Sequence, residues 1–316
     1  MSLGKVEIPG GDDDGGGEGP GFFADLMVLT KVRLSFLVLV TTLTGFWYAK
    51  LLQVSGTDSV SVWSFSNLVQ CFHVLVGTAF SAFSAAALNQ SYEGEVDARM
   101  ERTKGRPVPA GRMRSVGAFQ LGVVFGLVGV AYLAVFAGWL TALLGAITIF
   151  VYVWIYTPMK QRSFAAVYIG AVSGAIPPLM GWVGAGTDRW WGGWVLFAVL
   201  FCWQMPHFLA IAWLYRDEYE LAGLKMLPAG DPNGERAGII ALLFALLLAA
   251  AGFFPSFTGT VFRFHLPLSA LMNFFMVGSA LVFLLDRSRL TARRLFFASI
   301  VYLPLHLVLF LCSVKG

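Results

Sequence analysis

Three oxygen-bearing side chains could hold a metal ion. Asn89, Glu93 and Asp97 are four residues apart, so on an α-helix they share one face, each about 6 Å further along the axis. Proteins bind Mg²⁺ through carboxylate oxygens together with the phosphate oxygens of a substrate. Because Asn89 and Asp97 would start about 12 Å apart on such a helix, they cannot both bind one ion. The spacing leaves open two metal ions or a phosphate-binding role for Asn89.

A run of basic side chains follows these acids. Arg102, Lys104 and Arg106 lie in the motif RTKGRP, where Gly105 permits a turn and Pro107 ends a helix. Guanidinium and ammonium groups bind the negative charge of phosphates. Acids followed by bases therefore predict a site for a magnesium-bound diphosphate. Cytoplasmic loops of membrane proteins are also rich in Lys and Arg, but that alternative does not explain the ordered acids.

Three later positions carry further candidate groups. Lys160 and Arg162 lie in YTPMKQRS, and they could bind diphosphate or only mark the orientation of a membrane helix. Asp217 and Glu218 lie in WLYRDEYELAGLKMLP, and we expect them to supply metal ligands from the opposite side of the site. His207 lies in the apolar segment WQMPHF, and an ionisable residue at such a depth favours a functional role over a helix–helix hydrogen bond.

The composition predicts that membrane-spanning helices position these groups. Hydrophobic residues make up 57% of the 316 residues and charged residues 13%, about half the charged share of a soluble domain; the mean hydropathy is +0.72. In such a chain the net charge of +4 does not point to a nucleic-acid partner. Nine stretches are long enough to cross about 30 Å of hydrocarbon, namely 34–53, 67–88, 115–136, 139–158, 164–184, 193–214, 237–258, 266–285 and 295–313.

The distribution of basic residues predicts the orientation. Loops after the even-numbered spans hold 15 Lys and Arg, and those after the first, third, fifth and seventh hold 3. The positive-inside rule then places the N-terminus in the cytoplasm and the C-terminus outside. Residues 1–25 are predicted to be a disordered acidic Gly-rich tail, and 26–316 a single nine-helix domain. No mitochondrial targeting pattern is visible in the tail, so we expect a bacterial cell inner membrane.

Five motifs together resemble one known family. NQSYEGEVDARMERTKGRPVP, YTPMKQRS, GAIPPLMGW, WQMPHFLAIAW and YRDEYELAGLKMLP are similar to motifs of the protoheme IX farnesyltransferases, or heme O synthases, of the UbiA-type intramembrane prenyltransferases. The resemblance runs from about Thr30 to Leu309. It implies an all-α polytopic membrane protein with nine transmembrane helices around a central cavity open to the cytoplasmic side.

The resemblance also implies a reaction and its residues. A farnesyl group would pass from farnesyl diphosphate to a vinyl group of protoheme IX, and added water would give heme O, with Mg²⁺ as cofactor and haem as substrate. The implied metal ligands are Asn89, Glu93, Asp97, Asp217 and Glu218. The implied diphosphate-binding residues are Asn89, Arg102, Lys104, Arg106, Lys160 and Arg162. The candidate catalytic residues are Glu93, Asp97, Arg102, Arg106 and His207, the last as an iron ligand or a proton acceptor.

Two other functions stay open from the sequence. A prenyltransferase of the same superfamily could act on another aromatic or tetrapyrrole acceptor; His207 stands where the wider superfamily has an acid, which favours haem. A transporter is a different class, because acids near membrane helices can mark ion paths. Beyond the lipid bilayer, heme A synthase and oxidase assembly factors are candidate partners that the sequence does not identify.

Overall fold

The computed structural model describes residues 21–54 and 62–315, and its elements are helical. Two segments extend a helix in another form: a π-helical segment, Val151–Tyr156, after α5 and a 3₁₀ turn, Phe254–Phe257, after α10. The α-helices are α1 (Phe22–Leu29), α2 (Val32–Val54), α3 (Phe65–Asp97), α4 (Ser115–Phe136), α5 (Trp139–Phe150), α6 (Thr157–Met159), α7 (Ala166–Gly184), α8 (Trp190–Leu214), α9 (Arg216–Leu221), α10 (Glu235–Phe253), α11 (His265–Leu285) and α12 (Arg289–Cys312).

The prediction of nine membrane spans is confirmed. Within the described ranges, nine helical segments are long and apolar enough to cross a bilayer: α2, α3, α4, α5 to α6, α7, α8, α10 with its 3₁₀ turn, α11 and α12. The predicted tail lies outside the described residues as far as residue 20. Its boundary at residue 25 was wrong, because Phe22–Leu29 is a helix that Asp25 ties to Arg112 at 2.8 Å.

The spans pack as two groups, which are joined by α2 and by the contact between α7 and α8. One group contains α3, α4, α5 and α7, and the other contains α8, α10, α11 and α12. Helix α2 contacts α3 and α7 of the first group and α8 and α12 of the second. Ten residues of α2 between Ser35 and Leu52 are buried, and Phe46 and Tyr48 are fully covered. The first span therefore contacts both groups, as does α7, which packs on α2 and α8 and is the most buried of the spans.

Glycines let α2 and α7 approach to backbone contact. A Cβ at Gly181 of α7 would lie 1.9 Å from the carbonyl oxygen of Thr42, and a Cβ at Gly45 of α2 would lie 2.0 Å from that of Pro178. No side chain fits at either distance, so the helices meet where only glycine is possible. The double proline at 177 and 178 lies inside α7, which stays helical on both sides of it.

A π-helical segment changes the direction of side chains at the end of the fourth span. In Val151–Tyr156 the chain widens by one residue per turn, and the Thr157 amide donates to the carbonyl of Tyr152. Such segments are rare and often lie at functional sites. The ring of Tyr156 packs on Gly170 of α7, where a Cβ would come within 2.7 Å of it. This packing brings Thr157 and Lys160 to the C-terminal part of α3.

Candidate active site

The three predicted ligands of α3 remain helical and share one buried face. The helix continues past the apolar part of the span to Asp97, so Asn89, Glu93 and Asp97 keep their spacing of four residues. Asn89 is fully buried, and Glu93 and Asp97 are 6% and 2% exposed. Carboxylates this deeply buried need a charged partner or a metal. The helix face predicted from the sequence therefore carries buried negative charges that a cation must neutralise.

Each carboxylate is paired with a base from a different loop. Glu93 Oε1 lies 2.5 Å from Lys160 Nζ, and Asp97 Oδ2 lies 2.6 Å from Arg106 Nη1. The Asn89 amide donates to Glu93 Oε2 at 2.9 Å and to Thr157 Oγ1 at 3.0 Å. The structure thus brings together five of the groups predicted or implied for metal and diphosphate.

Lys31 belongs to the same set, and the sequence reasoning missed it. It lies between α1 and α2, and its Nζ donates to Asn89 Oδ1 at 2.8 Å across 58 residues of sequence. We call Lys31, Asn89, Glu93, Asp97, Arg106 and Lys160 the acid–base cluster. The only sequence signal for Lys31 was a single base just before the first apolar run, which is also what orientation alone would produce.

Lys31 has an unusual backbone conformation, and contacts made by the neighbouring residues of α1 support it. Its φ of 48° is in the left-handed region, which is rare for a residue other than glycine and reverses the chain between α1 and α2. The Gln90 amide donates to the carbonyls of Val28 and Leu29, both at 2.8 Å. Asp25 accepts two hydrogen bonds from Arg112, and this pairing raises the pKa of the Arg112 guanidinium. Strained backbone with this much support is characteristic of functional positions.

The surroundings of Lys31 disfavour its charged form. Burial, followed by the positive charges of Arg106 and Lys160, lowers the pKa of Lys31 to about 7, against the opposing effect of Glu93 and Asp97. An anion placed beside these three bases would reverse the shift. The acid–base cluster is therefore a site whose proton content changes when a negative ligand enters.

The second predicted acidic pair is not in this cluster. Asp217 of α9 is 65% exposed and lies 2.8 Å from Arg289 of α12. It lines an open recess of about 610 Å³ together with Arg162, Tyr219 and Lys225. Glu218 is half-buried on the same short helix. Asp217 forms an ion pair with Arg289 and lies on the surface of the recess. It makes no contact with Asp97.

Tyr219 connects the recess to the cluster. It is buried, and it packs with Val96 and Met100 at the end of α3. Burial raises the pKa of its phenol, while the charges of Arg102 and Lys160 act to lower it. The loop containing Lys160 is also joined to α9's C-terminal side by a 2.6 Å hydrogen bond from the Lys225 amide to the Lys160 carbonyl. The two predicted sides of the site are thus adjacent, with Tyr219 between them.

The remaining predicted bases differ in how close they lie to the cluster. The Arg102 guanidinium lies 5.7 Å from the ring centre of Tyr215, over its face. Lys104 is exposed and pairs with Glu101 at 2.6 Å, a surface contact of little energetic value. Arg162 is exposed on the rim of the recess. Of the bases in RTKGRP, only Arg106 reaches a buried carboxylate.

His207 lies within a membrane-spanning helix, α8, and not in the segments that carry the bases. It is half-buried on α8, and its Nδ1 is 2.8 Å from the hydroxyl of Ser299 on α12. It makes no hydrogen bond with the acid–base cluster. The structure therefore places His207 among the spans and separates it from the metal and diphosphate candidates.

The acid–base cluster fits a magnesium ion that is shared with a substrate. Asp97 Oδ1 has no partner within the described part of the chain, and Asn89 and Glu93 add oxygens on the same face. Among residues 21–54 and 62–315, no group of three or more His, Cys, Asp and Glu side chains is close enough to hold a metal alone. Ligand oxygens would have to come from a phosphate as well, which is how Mg²⁺ is commonly bound.

Comparison with known proteins gives one consistent family. Residues 38–301 match the model of the UbiA prenyltransferase family. A protein named protoheme IX farnesyltransferase from Solibacter usitatus is 35% identical, over 89% of this chain and 95% of the relative. A protein of the same name from Opitutus terrae is 40% identical, over 90% of this chain and 92% of the relative.

Solved structures show the same fold at low sequence identity. A digeranylgeranylglyceryl phosphate synthase matches with a TM-score of 0.76 at 12% identity, covering 92% of this chain and 98% of its own. A UbiA homologue from Archaeoglobus fulgidus, bound to GPP and Mg²⁺, matches with a TM-score of 0.54 at 15% identity, covering 90% of this chain and 99% of its own. Both likenesses confirm the all-helical architecture.

Proposed function

The chain belongs to the UbiA prenyltransferase family, with relatives named protoheme IX farnesyltransferase, and on that premise we propose that it farnesylates protoheme IX. The farnesyl group leaves farnesyl diphosphate and bonds to a vinyl carbon of the haem, and water adds to the other vinyl carbon to give heme O. The protein is a multi-pass membrane enzyme. The relatives' names supply the acceptor, and the site supplies the chemistry of the donor.

The observation that carries the proposal is the acid–base cluster at the end of α3. Two buried carboxylates, Glu93 and Asp97, are each neutralised by a base, and Lys31 stands beside them. A magnesium diphosphate offers both partners at once: the cation suits the carboxylates and the phosphate oxygens suit the bases. A site for a simple anion would not need the acids.

The residues of the cluster then act on the leaving group. Glu93 and Asp97 would hold Mg²⁺, which would stabilise the charge that develops on the departing diphosphate, and Asn89, about 12 Å from Asp97 along the helix, would hold a second ion or a phosphate oxygen. Arg106, Lys160 and Lys31 hold the phosphate oxygens and neutralise the rest of that charge. Tyr219 and the apolar end of α3 cover the site on the side of α9 and exclude water from the allylic cation. The vinyl π-electrons of the haem attack that cation, and water captures the resulting haem-side cation.

We also propose an orientation for the enzyme in the membrane. The acid–base cluster and the recess with Arg162 both lie on loops that the positive-inside rule assigns to the cytoplasm. A cavity among the spans that opens on this face would admit farnesyl diphosphate with its charged end outward. Heme A synthase or an oxidase assembly factor would take the product within the bilayer.

Mass spectrometry of haem from membranes that contain the chain tests the proposal. The unmodified chain should yield heme O from protoheme IX and farnesyl diphosphate with Mg²⁺, and Asp97→Asn should yield less than one hundredth as much, since loss of one electrostatic partner costs about 10²–10³ in rate. Glu101→Gln is the matched control, because Glu101 is an exposed acid that pairs with Lys104 at the surface. Equal loss in both variants would contradict the assignment of the cluster, and no heme O from the folded unmodified chain would contradict the acceptor.

A further inference from the structure

One histidine among the membrane spans has a fixed orientation and one free ring nitrogen. His207 of α8 lies between two aromatic rings, with centroids 4.7 Å from Trp203 and 5.2 Å from Phe296, and both rings are nearly parallel to the imidazole. Nδ1 is 2.8 Å from the hydroxyl of Ser299. Stacking on both faces and a hydrogen bond at one edge leave the imidazole a single orientation.

The hydrogen-bond network determines which nitrogen carries the proton. The Ser299 hydroxyl donates to the carbonyl of Phe296 at 2.6 Å, so its one hydrogen is already used. With that hydrogen on the Phe296 carbonyl, Ser299 Oγ accepts from His207, and Nδ1 is then the protonated nitrogen of the neutral ring. Nε2 then carries a lone pair. This is the state in which histidine binds a metal, with its second nitrogen held by an outer partner.

The region around Ser299 is built as a support for this imidazole. Trp203 and His207 are four residues apart on α8, and the Trp203 indole donates to the Ser299 carbonyl at 2.7 Å while His207 bonds to its hydroxyl. Ser299 itself is fully buried. Two adjacent turns of α8 are thus fastened to one residue of α12, which keeps the free nitrogen at a constant position.

Nε2 is also accessible. It has no hydrogen-bond partner in the part of the chain that the structure describes, and His207 is half-buried. Both nitrogens of His306, in contrast, are buried and have no hydrogen-bond partner among the described residues. Ile211, one turn from His207 on the same face of α8 and about 6 Å along the helix, packs against the apolar cluster formed by Val96, Met100, Ala212, Tyr219 and Ala222. The face of α8 that carries His207 therefore continues, one turn on, to the apolar cluster beside the acid–base cluster.

We infer that Nε2 of His207 is an axial ligand to the iron of the haem substrate and that Ser299 is the residue that positions it. This inference rests on the proposed function, because it takes haem as the acceptor. A metal–nitrogen bond at a fixed depth would hold the porphyrin at one height relative to the acid–base cluster. The same bond would distinguish haem from acceptors that have no metal.

Haem titration followed by absorption spectroscopy tests the inference without prenyl transfer. The purified chain is titrated with ferric protoheme IX in the absence of farnesyl diphosphate. His207→Gly should lose the absorption bands of the unmodified complex and bind haem at least about tenfold more weakly, and added imidazole should restore both. Ser299→Ala should weaken binding by about tenfold, the usual effect of losing an outer partner of a metal-bound histidine.

His73 provides a matched control. Its Nδ1 is also 2.8 Å from a hydroxyl, that of Tyr132, and its ring stacks on Phe136 at 4.7 Å. It lies 16 residues before Asn89 on α3, about 24 Å along the helix from the nearest α3 residue of the cluster. His73→Gly should therefore keep the bands and the affinity of the unmodified protein, although it carries the same helix penalty.

Each outcome decides the question. Unchanged bands in His207→Gly, or equal losses in His73→Gly, would overturn the inference. Loss of farnesyl diphosphate binding in His207→Gly would show that its fold is impaired. In that case Ser299→Ala is the deciding variant, and unchanged haem binding in Ser299→Ala would overturn the inference. The proposed function is scored separately by heme O production of the unmodified chain, which can succeed while the iron ligand proves to be a different group.

Discussion

Binding of farnesyl diphosphate should draw a proton onto Lys31. In the free site, burial together with Arg106 and Lys160 lowers the pKa of Lys31 to about 7. A diphosphate beside its amine would favour the charged form and move the pKa back toward its ordinary value of about 10.4. The ligand therefore binds together with a proton, and Lys31→Gln should remove that proton from the reaction.

The amount of proton taken up follows from the two pKa values. At pH 8 a base with a pKa of about 7 is only about one-tenth protonated, so binding should take up about 0.9 proton, and at pH 7 about 0.5. The unliganded protein should show a related effect. Because the unfolded chain binds more protons than the folded one between pH 7 and 10.5, its free energy of unfolding should rise with pH across that window.

Isothermal titration calorimetry in two buffers of different ionisation enthalpy measures this uptake. Farnesyl diphosphate and Mg²⁺ are titrated at pH 8 without haem, so that no transfer follows. The binding enthalpy of the unmodified chain should depend on the buffer, that of Lys31→Gln should depend on it much less, and Lys104→Gln should behave like the unmodified chain, since Lys104 pairs with Glu101 at the surface. Equal buffer dependence in the unmodified chain and Lys31→Gln would refute the reasoning.

Two further predictions test the site and the fold. Arg106→Gln should lower kcat/KM for farnesyl transfer by about 100-fold, whereas Lys104→Gln should stay within about twofold; equal effects in steady-state assays would show that burial of the partner carboxylate does not matter. Gly181→Ala should destabilise the bundle by about 1–3 kcal/mol, because its Cβ would lie 1.9 Å from the Thr42 carbonyl. Gly278→Ala, with nothing within 4 Å, should leave the thermal midpoint in detergent unchanged.

Local periodicity was sufficient to predict the spans and the acidic face of α3. Nine apolar stretches of adequate length became nine spans, because a bilayer leaves little choice other than a helix for such a stretch. Asn89, Glu93 and Asp97 share a face because the helix of the second span continues through them. Both results depend only on neighbours a few residues apart.

Contacts between distant segments could not be predicted in the same way. Lys31 meets Asn89 across 58 residues, and Asp217 meets Arg289 across 72. A lone base before the first span has the same appearance in sequence whether it only marks the cytoplasmic side or enters a site. The pairing of Asp217 depends on where α12 begins relative to α9, which no local pattern contains. The left-handed turn at Lys31 likewise follows from tertiary support and not from residue type.

The internal ion pairs of the acid–base cluster have a thermodynamic consequence. A metal ion that bound both carboxylates alone would weaken the pairing of Glu93 with Lys160 and of Asp97 with Arg106, and it would leave the buried bases less well neutralised. A diphosphate that bound alone would leave a buried carboxylate in the same condition. When the metal ion and the diphosphate bind together, each buried carboxylate gains the cation and each buried base gains phosphate oxygens. The affinities for cation and anion are therefore coupled, and each raises the other by the same factor.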